Sequence, residues 1–352
     1  MEELKKFNNQ TLAVIYRPKT FDDLVEQEYI KAILLNQLKT NTTKQAYLFC
    51  GPAGDGKTTS ARIFANEINS GKGKPIEIDA ASNNGVDDVR QIIEDSKRKP
   101  LDTDYKVFII DEVHMLSTGA WNAMLKLLEE PPKTSIFIMC TTDPQKIPAT
   151  ILSRVQRYNF SKISTEGIFN RLKYICDKEN EKRGRKDQIK YDDNALYYIA
   201  NYAEGGMRNA ITMLDKCISL NTIVNNENVV KAIGSVDFSM CKDLLNAFIY
   251  SDTHTCIELI DIVHSSGKDL KYFIKQFQYF LLDILKAKMF DTLLGTKLPN
   301  TAVFERYIKS VDYNKCADIL DFFVKLNADV KWESNIREFV ECAILINNKG
   351  VN

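Results

Sequence analysis

Neither sign of charge is in excess in this sequence: 47 lysines and arginines balance 47 aspartates and glutamates. A chain without net charge has no overall field to draw it onto nucleic acid or a membrane surface, so contact with a polyanion must come from a local patch. No C-x-x-C pair occurs among the eight cysteines, which are scattered at 50, 140, 176, 217, 241, 256, 316 and 342, mostly in apolar surroundings. That spacing argues against a zinc knuckle and a disulfide framework and predicts the reduced thiols of a cytoplasmic protein. No apolar run approaches the ~20 residues needed to span a bilayer, and Met1-Glu2-Glu3-Leu4-Lys5-Lys6 has no apolar signal core, so no membrane partner is expected. Internal repeats and low-complexity tails are missing too. What is present is length, with 352 residues enough for two or three domains that each bury a core.

The rest is organised around Tyr47-Leu48-Phe49-Cys50-Gly51-Pro52-Ala53-Gly54-Asp55-Gly56-Lys57-Thr58-Thr59. Its apolar start predicts a buried strand, and a helical pattern follows through Ala61, Ile63, Phe64, Ala65 and Ile68. Between them Gly51-x-x-x-x-Gly56-Lys57-Thr58 is a complete phosphate-loop spacing. Glycines let the loop through Gly51, Pro52, Ala53, Gly54, Asp55 and Gly56 wrap a phosphate chain with its backbone N–H groups pointing inward. Lys57 then reaches the β- and γ-phosphates, and the Thr58 hydroxyl completes the coordination of Mg²⁺. The helix opening near Lys57, Thr58 and Thr59 adds its positive dipole end. A glycine-rich turn with a surface lysine would share the composition but not the strand–loop–helix context. A triphosphate site is expected.

Along the chain, a stiff Arg17-Pro18 turn lies in residues 11–22, and 25–38 reads as an amphipathic helix. Four more strand candidates follow the first, at 75–79, Lys106–Asp111, 135–142 and 156–160, with helical patterns such as Val86–Lys97 and 120–128 between them. This alternation predicts an α/β fold over residues 1–162, a five-stranded parallel sheet covered by helices on both faces. After Phe160 the strands stop. Residues 169–177, 193–203, Met207–Leu220 and Asn226–Ile233 read as helices of a small second domain, 163–234. The charged segment 179–190 reads as a solvated loop, with a weaker reading as a basic DNA contact through Lys182, Arg183, Arg185 and Lys186. Residues 235–352 read as an all-helical third domain. Its aromatic stripe of Tyr272, Phe273, Phe277, Tyr279 and Phe280 suits helix packing better than base stacking.

The chemistry gathers at strand ends. Lys106-Val107-Phe108-Ile109-Ile110-Asp111-Glu112 is an apolar strand closing in two carboxylates. Asp111 would face the phosphate loop and hold Mg²⁺, and Glu112 would orient and deprotonate the attacking water. Two acids at a strand end often only cap the next helix; beside a complete phosphate loop they gain weight. His114 would suit a DExH helicase, or simply be a polar residue opening the next turn. Thr141-Thr142-Asp143 ends the fourth strand with hydroxyls that can sense a γ-phosphate or form a strand-end turn. Arg154, after Ser153, is badly placed for its own nucleotide and well placed to project at a neighbour's, or it forms a surface salt bridge. Gly205-Gly206-Met207-Arg208 opens a helix from which Arg208 could reach back to the phosphates.

These residues resemble the AAA+ family, and within it the clamp-loader ATPases of the bacterial DNA polymerase III gamma/tau family. The resemblance is carried by Tyr16-Arg17-Pro18-Lys19-Thr20-Phe21-Asp22-Asp23-Leu24, by the phosphate loop and by Ile76-Glu77-Ile78-Asp79-Ala80-Ala81-Ser82. It continues in Ile109-Ile110-Asp111-Glu112-Val113-His114-Met115-Leu116-Ser117, Leu127-Leu128-Glu129-Glu130-Pro131-Pro132, Thr141-Thr142-Asp143-Pro144-Gln145-Lys146-Ile147-Pro148 and Ile151-Leu152-Ser153-Arg154. It covers residues 12–215, with only general helical character beyond. It implies an AAA+ domain, a helical lid and a helical collar. ATP and Mg²⁺ would be held by the phosphate loop, with Thr58 and Asp111 at the metal and Asp111 and Glu112 as the Walker B acids. Thr142 becomes the sensor 1 candidate, with Thr141 left open, Arg154 the finger supplied in trans and Arg208 the sensor 2 arginine. Val14, Tyr16, Arg17 and Pro18 would line the adenine pocket. Implied partners are other clamp-loader subunits in a pentamer, a sliding clamp, primer–template DNA and a DNA polymerase.

The sequence departs from that pattern twice. Asn69-Ser70-Gly71-Lys72-Gly73-Lys74 stands where bacterial members usually carry a four-cysteine zinc module, so no zinc is expected. The sequence also ends at Asn352, without the long extension of the tau form. A trimmed, Lys/Asn-rich version of this kind suggests a divergent bacterium or a phage, and so a bacterial or host cytoplasm. DNA would be gripped along its backbone by helix N-termini, the helix opening at residues 84–86 being one candidate and Lys97 and Arg98 a weaker one. The rival readings are an AAA+ DNA motor such as a branch-migration helicase and a scaffold that binds ATP without turnover.

Overall fold

The computed structural model describes residues 10–185, 187–233, 238–293, 296, 298 and 302–348. The chain forms two compact units, Met1–Val224 and Asn225–Asn352. In the first, helices α1 (Leu12–Ile15) and α2 (Glu28–Thr40) precede strand β1 (Ala46–Cys50). There follow α3 (Lys57–Ile68), β2 (Ile76–Asp79), α4 (Val86–Lys97), β3 (Lys106–Asp111), α5 (Thr118–Glu129), β4 (Ser135–Thr141), α6 (Ala149–Leu152) and β5 (Gln156–Asn159). The strands form one sheet in the order β2-β3-β4-β1-β5, every neighbouring pair parallel. Five strands were expected, and five are found, within two residues of the expected bounds.

The pleat sorts the apolar residues. Leu48 and Cys50 of β1, Phe108 and Ile110 of β3, and Phe137 and Met139 of β4 face one core, which Val89 of α4, Trp121 and Met124 of α5, and Ile151 of α6 complete. Tyr47, Phe49, Val107, Ile109, Ile136 and Ile138 face the other, under Leu34 of α2 and Ala61 and Phe64 of α3. Alternate side chains thus bury on both faces, which is why β1, β3 and β4 read as continuous apolar runs. Register pairs Cys50 with Thr141 on one side and Asn159 on the other. The ends of β1 and β4 therefore lie side by side, with β3 next to β4.

The first unit continues with α7 (Thr165–Lys182), β6 (Lys190–Tyr191), α8 (Asp193–Tyr202), α9 (Met207–Leu220) and β7 (Ile223–Val224). Ser164 caps α7 by accepting from the Gly167 amide at 3.0 Å. Two expectations are corrected here. Strands do not stop at Phe160, because β6 and β7 form a short parallel pair, Lys190 opposite Ile223 and Tyr191 opposite Val224. Two residues each are too few to register as a pattern. The charged 179–190 segment is not all loop: α7 runs on through Lys182, its last turn joined by Lys182–Glu179 and Lys178–Glu181 ion pairs.

The second unit is helical: α10 (Asn226–Ile233), α11 (Phe238–Ile249), α12 (Thr253–Ser265), α13 (Leu270–Phe290), α14 (Ala302–Ser310), α15 (Tyr313–Asp329) and α16 (Ile336–Asn348). The α13 stripe is packing. Phe273, Phe277 and Phe280 are buried, Phe277 meeting Phe323 of α15 edge-on at 4.6 Å, and Tyr272 and Tyr279 stay partly exposed at the rim. The expected boundary near 234–235 lies outside the described residues. No described helix is long and apolar enough to cross a membrane.

Phe137 is fully buried in β4 and stacks on Phe108 at 5.2 Å. Phe137→Ala is expected to lower unfolding free energy by about 3–5 kcal/mol in a denaturant titration, against under ~1 kcal/mol for Ile76→Ala, which is 37% exposed.

Candidate functional site

At the C-terminal ends of β1, β3 and β4 a cavity of about 370 Å³ opens between the sheet, the segment after α1 and the start of α9. Its floor is the loop from Cys50 to α3. Gly56 N-caps α3 with φ +101°, a left-handed conformation that a side chain disfavours. Gly54 has φ +80°, and a Cβ there would lie 3.2 Å from Gly206 Cα, so the loop and the α9 entrance approach as closely as backbones can. A hydrogen bond from the Met207 amide to the Gly54 carbonyl at 3.0 Å fixes that approach.

Lys57 is 6% exposed. Its ammonium Nζ donates to Gly51 O at 2.8 Å, to Pro52 O and to Asp55 Oδ1 at 3.0 Å. Asp55 is itself buried; burial pushes its carboxyl up, and the Lys57 charge pulls it back. The Thr58 hydroxyl donates to Asp111 Oδ2 at 2.8 Å, joining the first turn of α3 to the end of β3.

Glu112 follows with φ +47°, an uncommon conformation for a residue with a side chain, and lines the same cavity. Its Oε2 accepts from the Thr142 hydroxyl at 3.0 Å and lies 3.3 Å from His114 Nδ1. The two threonines left open by the sequence part company here. Thr141 is fully buried, accepting from the Asp143 amide at 3.0 Å and bonding His114 Nδ1 at 3.2 Å. Thr142, one residue past β4, lines the cavity. His114 thus serves a hydrogen-bond network behind the acids.

The other sequence candidates divide. Ala53, Gly54, Asp55, Gly56, Thr58 and Thr59 line the cavity, as do Lys57, Tyr16, Arg17, Pro18 and Arg208. Val14 points away, 46% exposed, and Gly51 and Pro52 serve through carbonyls that hold Lys57. Arg154 lies outside it, bonded to Thr150 O at 2.6 Å and paired with Glu129 at 2.8 Å. The helix opening at α4, the expected DNA contact, carries acidic residues. Asp87 and Asp88 occupy its first turn, and Asp88 Oδ2 takes the Gly85 amide at 2.9 Å. Lys97 and Arg98 pair with Glu94 and Asp95, and Lys182 and Arg183 with Glu179. Lys186 lies outside the described residues.

Sequence reading missed Arg171, which lines the cavity from α7, donates to the Tyr16 carbonyl at 2.9 Å and stacks over Tyr174. The Tyr16 hydroxyl donates to Glu179 Oε1 at 2.7 Å and accepts from Lys182 at 3.0 Å, and the Leu12 amide donates to Asp215 Oδ2 at 3.0 Å. The segment before β1 is thereby strapped to α7 and α9. Apolar Leu24, Val25, Ile163, Met207 and Ile211 wall the rest of that end. The cavity so has a polar end of loop amides, Lys57 and acids, and an apolar end that suits a flat ring.

Comparison with known proteins agrees with this geometry. Residues 74–164 match the family model described as DNA polymerase III, delta subunit, and residues 167–223 the one described as DNA polymerase III clamp loader subunit, ATPase lid domain. The chain is similar to the DNA polymerase III subunit tau of Bacillus subtilis, 36% identical over 360 residues, covering 96% of this chain and 62% of that protein. It is 35% identical to the subunit tau/gamma of Haemophilus influenzae over 309 residues, covering 80% of this chain and 44% of that protein. It therefore spans about half to three fifths of these two relatives. Among solved structures the Thermotoga maritima RuvB Holliday junction branch migration motor superposes with a TM-score of 0.51 over 72% of this chain and 86% of that one. At 18% identity that likeness speaks for the fold alone. The DNA polymerase III subunit gamma of Buchnera aphidicola from Acyrthosiphon pisum is 34% identical over 363 residues, covering 96% of this chain and 98% of that protein. With a relative so similar across nearly its whole length, the chain belongs to the gamma/tau subunit family of DNA polymerase III.

Proposed function

We propose that this chain is the ATP-hydrolysing subunit of a replicative clamp loader. The observation that carries the reading is the convergence of Lys57, Thr58, Asp111, Glu112 and Thr142 on one cavity, tied by the 2.8 Å bond between Thr58 and Asp111. In this reading the 51–57 loop takes the triphosphate, and Lys57 exchanges its loop oxygens for phosphate oxygens. The Thr58 hydroxyl and Asp111 carboxylate are hard oxygen ligands that fit Mg²⁺, which when bound would neutralise charge on the phosphates. Glu112, oriented by the Thr142 hydroxyl, accepts the proton of the attacking water. Arg208 is exposed at the cavity and has no side-chain partner among the described residues, which suits a group waiting for phosphate. The base would lie against Tyr16, Arg17 and Pro18 and the apolar wall.

Arg154 stands outside its own cavity, so its guanidinium is available to a neighbouring subunit's nucleotide once Glu129 releases it. On this reading the chain works in a five-subunit ring in the bacterial cytoplasm. An AAA+ domain (1–162) and a lid (163–234) bind nucleotide, a collar (235–352) holds the ring, and the assembly opens a sliding clamp on primer–template DNA for a polymerase. ATP closes the ring, and hydrolysis releases the clamp.

ATPase assays of the assembled complex with primed DNA, cognate clamp, both or neither test this. Stimulation that needs both supports a loader; stimulation by DNA alone marks a DNA motor, and no turnover marks a scaffold. Lys57→Ala should abolish ATP binding. Arg154→Ala should leave ATP affinity within about twofold and lower turnover in the complex by about 10³-fold, full activity being the result that removes the trans role. Arg171→Ala should loosen the strap, seen as faster amide exchange at residues 14–17 and weaker ATP binding, with exchange in α3 unchanged.

A further inference from the structure

The phosphate cradle carries a charge of the wrong sign. Asp55 sits inside it, 1% exposed, with Oδ2 lacking any hydrogen-bond partner. That oxygen packs beside Gly51 and Phe160, and a carboxylate oxygen left unpaired in a buried place is unfavourable. Its other oxygen, Oδ1, takes one ammonium proton from Lys57 at 3.0 Å and the Lys57 amide, the first of α3, at 3.3 Å. These are donors of the kind that a phosphate oxygen takes at the N-terminus of a helix. Asp55 Oδ1 therefore occupies two donors that a phosphate oxygen would take. The Lys57 ammonium has three protons, and Gly51 O, Pro52 O and Asp55 Oδ1 account for them.

We propose, resting on the reading of this cavity as a triphosphate site, that Asp55 is an internal competitor for phosphate that weakens nucleotide affinity and speeds nucleotide release. A phosphate oxygen gains Lys57 only by exchange. Displacing the two neutral carbonyls leaves dipoles behind, whereas displacing Asp55 leaves an anion facing an anion where both Asp55 and Lys57 are buried and screening is weak. The penalty grows with phosphate charge and does not touch the base end of the cavity. Reclosure of the Asp55–Lys57 pair after hydrolysis helps expel the product. A clamp-loader subunit that must release nucleotide each cycle would gain from such a device.

Calorimetric titration of the full chain in the presence of Mg²⁺, with ATP, ADP and AMP in turn, tests this on the wild type, Asp55→Asn and Asp55→Thr. Both substitutions remove the charge, and having two guards against one failing to fold, which thermal melting checks. ATP and ADP are expected to bind about tenfold tighter or more to each variant, and AMP to change by less than about twofold. A role for Asp55 in merely shaping the loop would weaken binding of all three, or leave it unchanged. Either result in a folded variant overturns the proposal. A wild type that binds none of the three overturns the triphosphate reading itself, a failure separate from that of the competitor. Stopped-flow release of a fluorescent ADP analogue should be slower from both variants, and equal or faster release also counts against it.

Discussion

With 6% of its surface exposed, the Lys57 side chain places a full charge inside the protein, and an unpaired charge there would be strongly destabilising. The loop answers with two carbonyls and a carboxylate. To aim both carbonyls inward the backbone must turn through left-handed positions, which glycines at 54 and 56 supply. The ring of oxygens around one ammonium thus dictates the glycine spacing, the close approach of α9 and the position of the first turn of α3. From that turn Thr58 reaches Asp111, so the same constraint passes to the end of β3.

The sheet is what allows the transfer. β4 lies between β1 and β3, so the Walker-type loop and the acids are not on adjacent strands; they meet because all three strands end on one edge. Pleating then decides which hydroxyl is available. Thr141, the last residue of β4, turns into the network with His114, while Thr142 breaks from the strand toward Glu112. A slip of one residue in β4 would exchange them and uncouple the hydroxyl from the carboxylate.

The phosphate loop, the five strands and the two acids were legible in the sequence because each depends on local pattern: a fixed glycine spacing, continuous apolar runs, acids closing a strand. Between Thr141 and Thr142 only the resemblance favoured Thr142, since local pattern does not fix where a strand ends to within one residue. Arg171 escaped because an arginine on an amphipathic helix usually lies on the solvent face, and its partner, the Tyr16 carbonyl, is 155 residues away. The β6–β7 pair escaped for the opposite reason, being too short to have a period. At the helix end at 84–86 the sequence pattern does not show that Asp88 already takes the Gly85 amide, which leaves fewer free N–H groups there.

A division runs through the cations. Lys57 and Arg154, the two proposed for phosphate in its own and a neighbour's site, each hold an internal carboxylate, Asp55 and Glu129, at 3.0 and 2.8 Å. Arg17 and Arg208, which line the cavity, have no such partner among the described residues. The pairs differ in setting. Asp55–Lys57 is buried, so on the proposed reading its exchange for phosphate would happen in low dielectric and bear on affinity. Glu129 is half exposed, so water and salt screen the Arg154 pair and its release costs little. The paired cations are satisfied before nucleotide arrives and must exchange, while the unpaired ones lose nothing by binding. On the proposed reading, initial capture by the unpaired cations would be quick and commitment at the cradle conditional, with the balance set by one carboxylate in the loop.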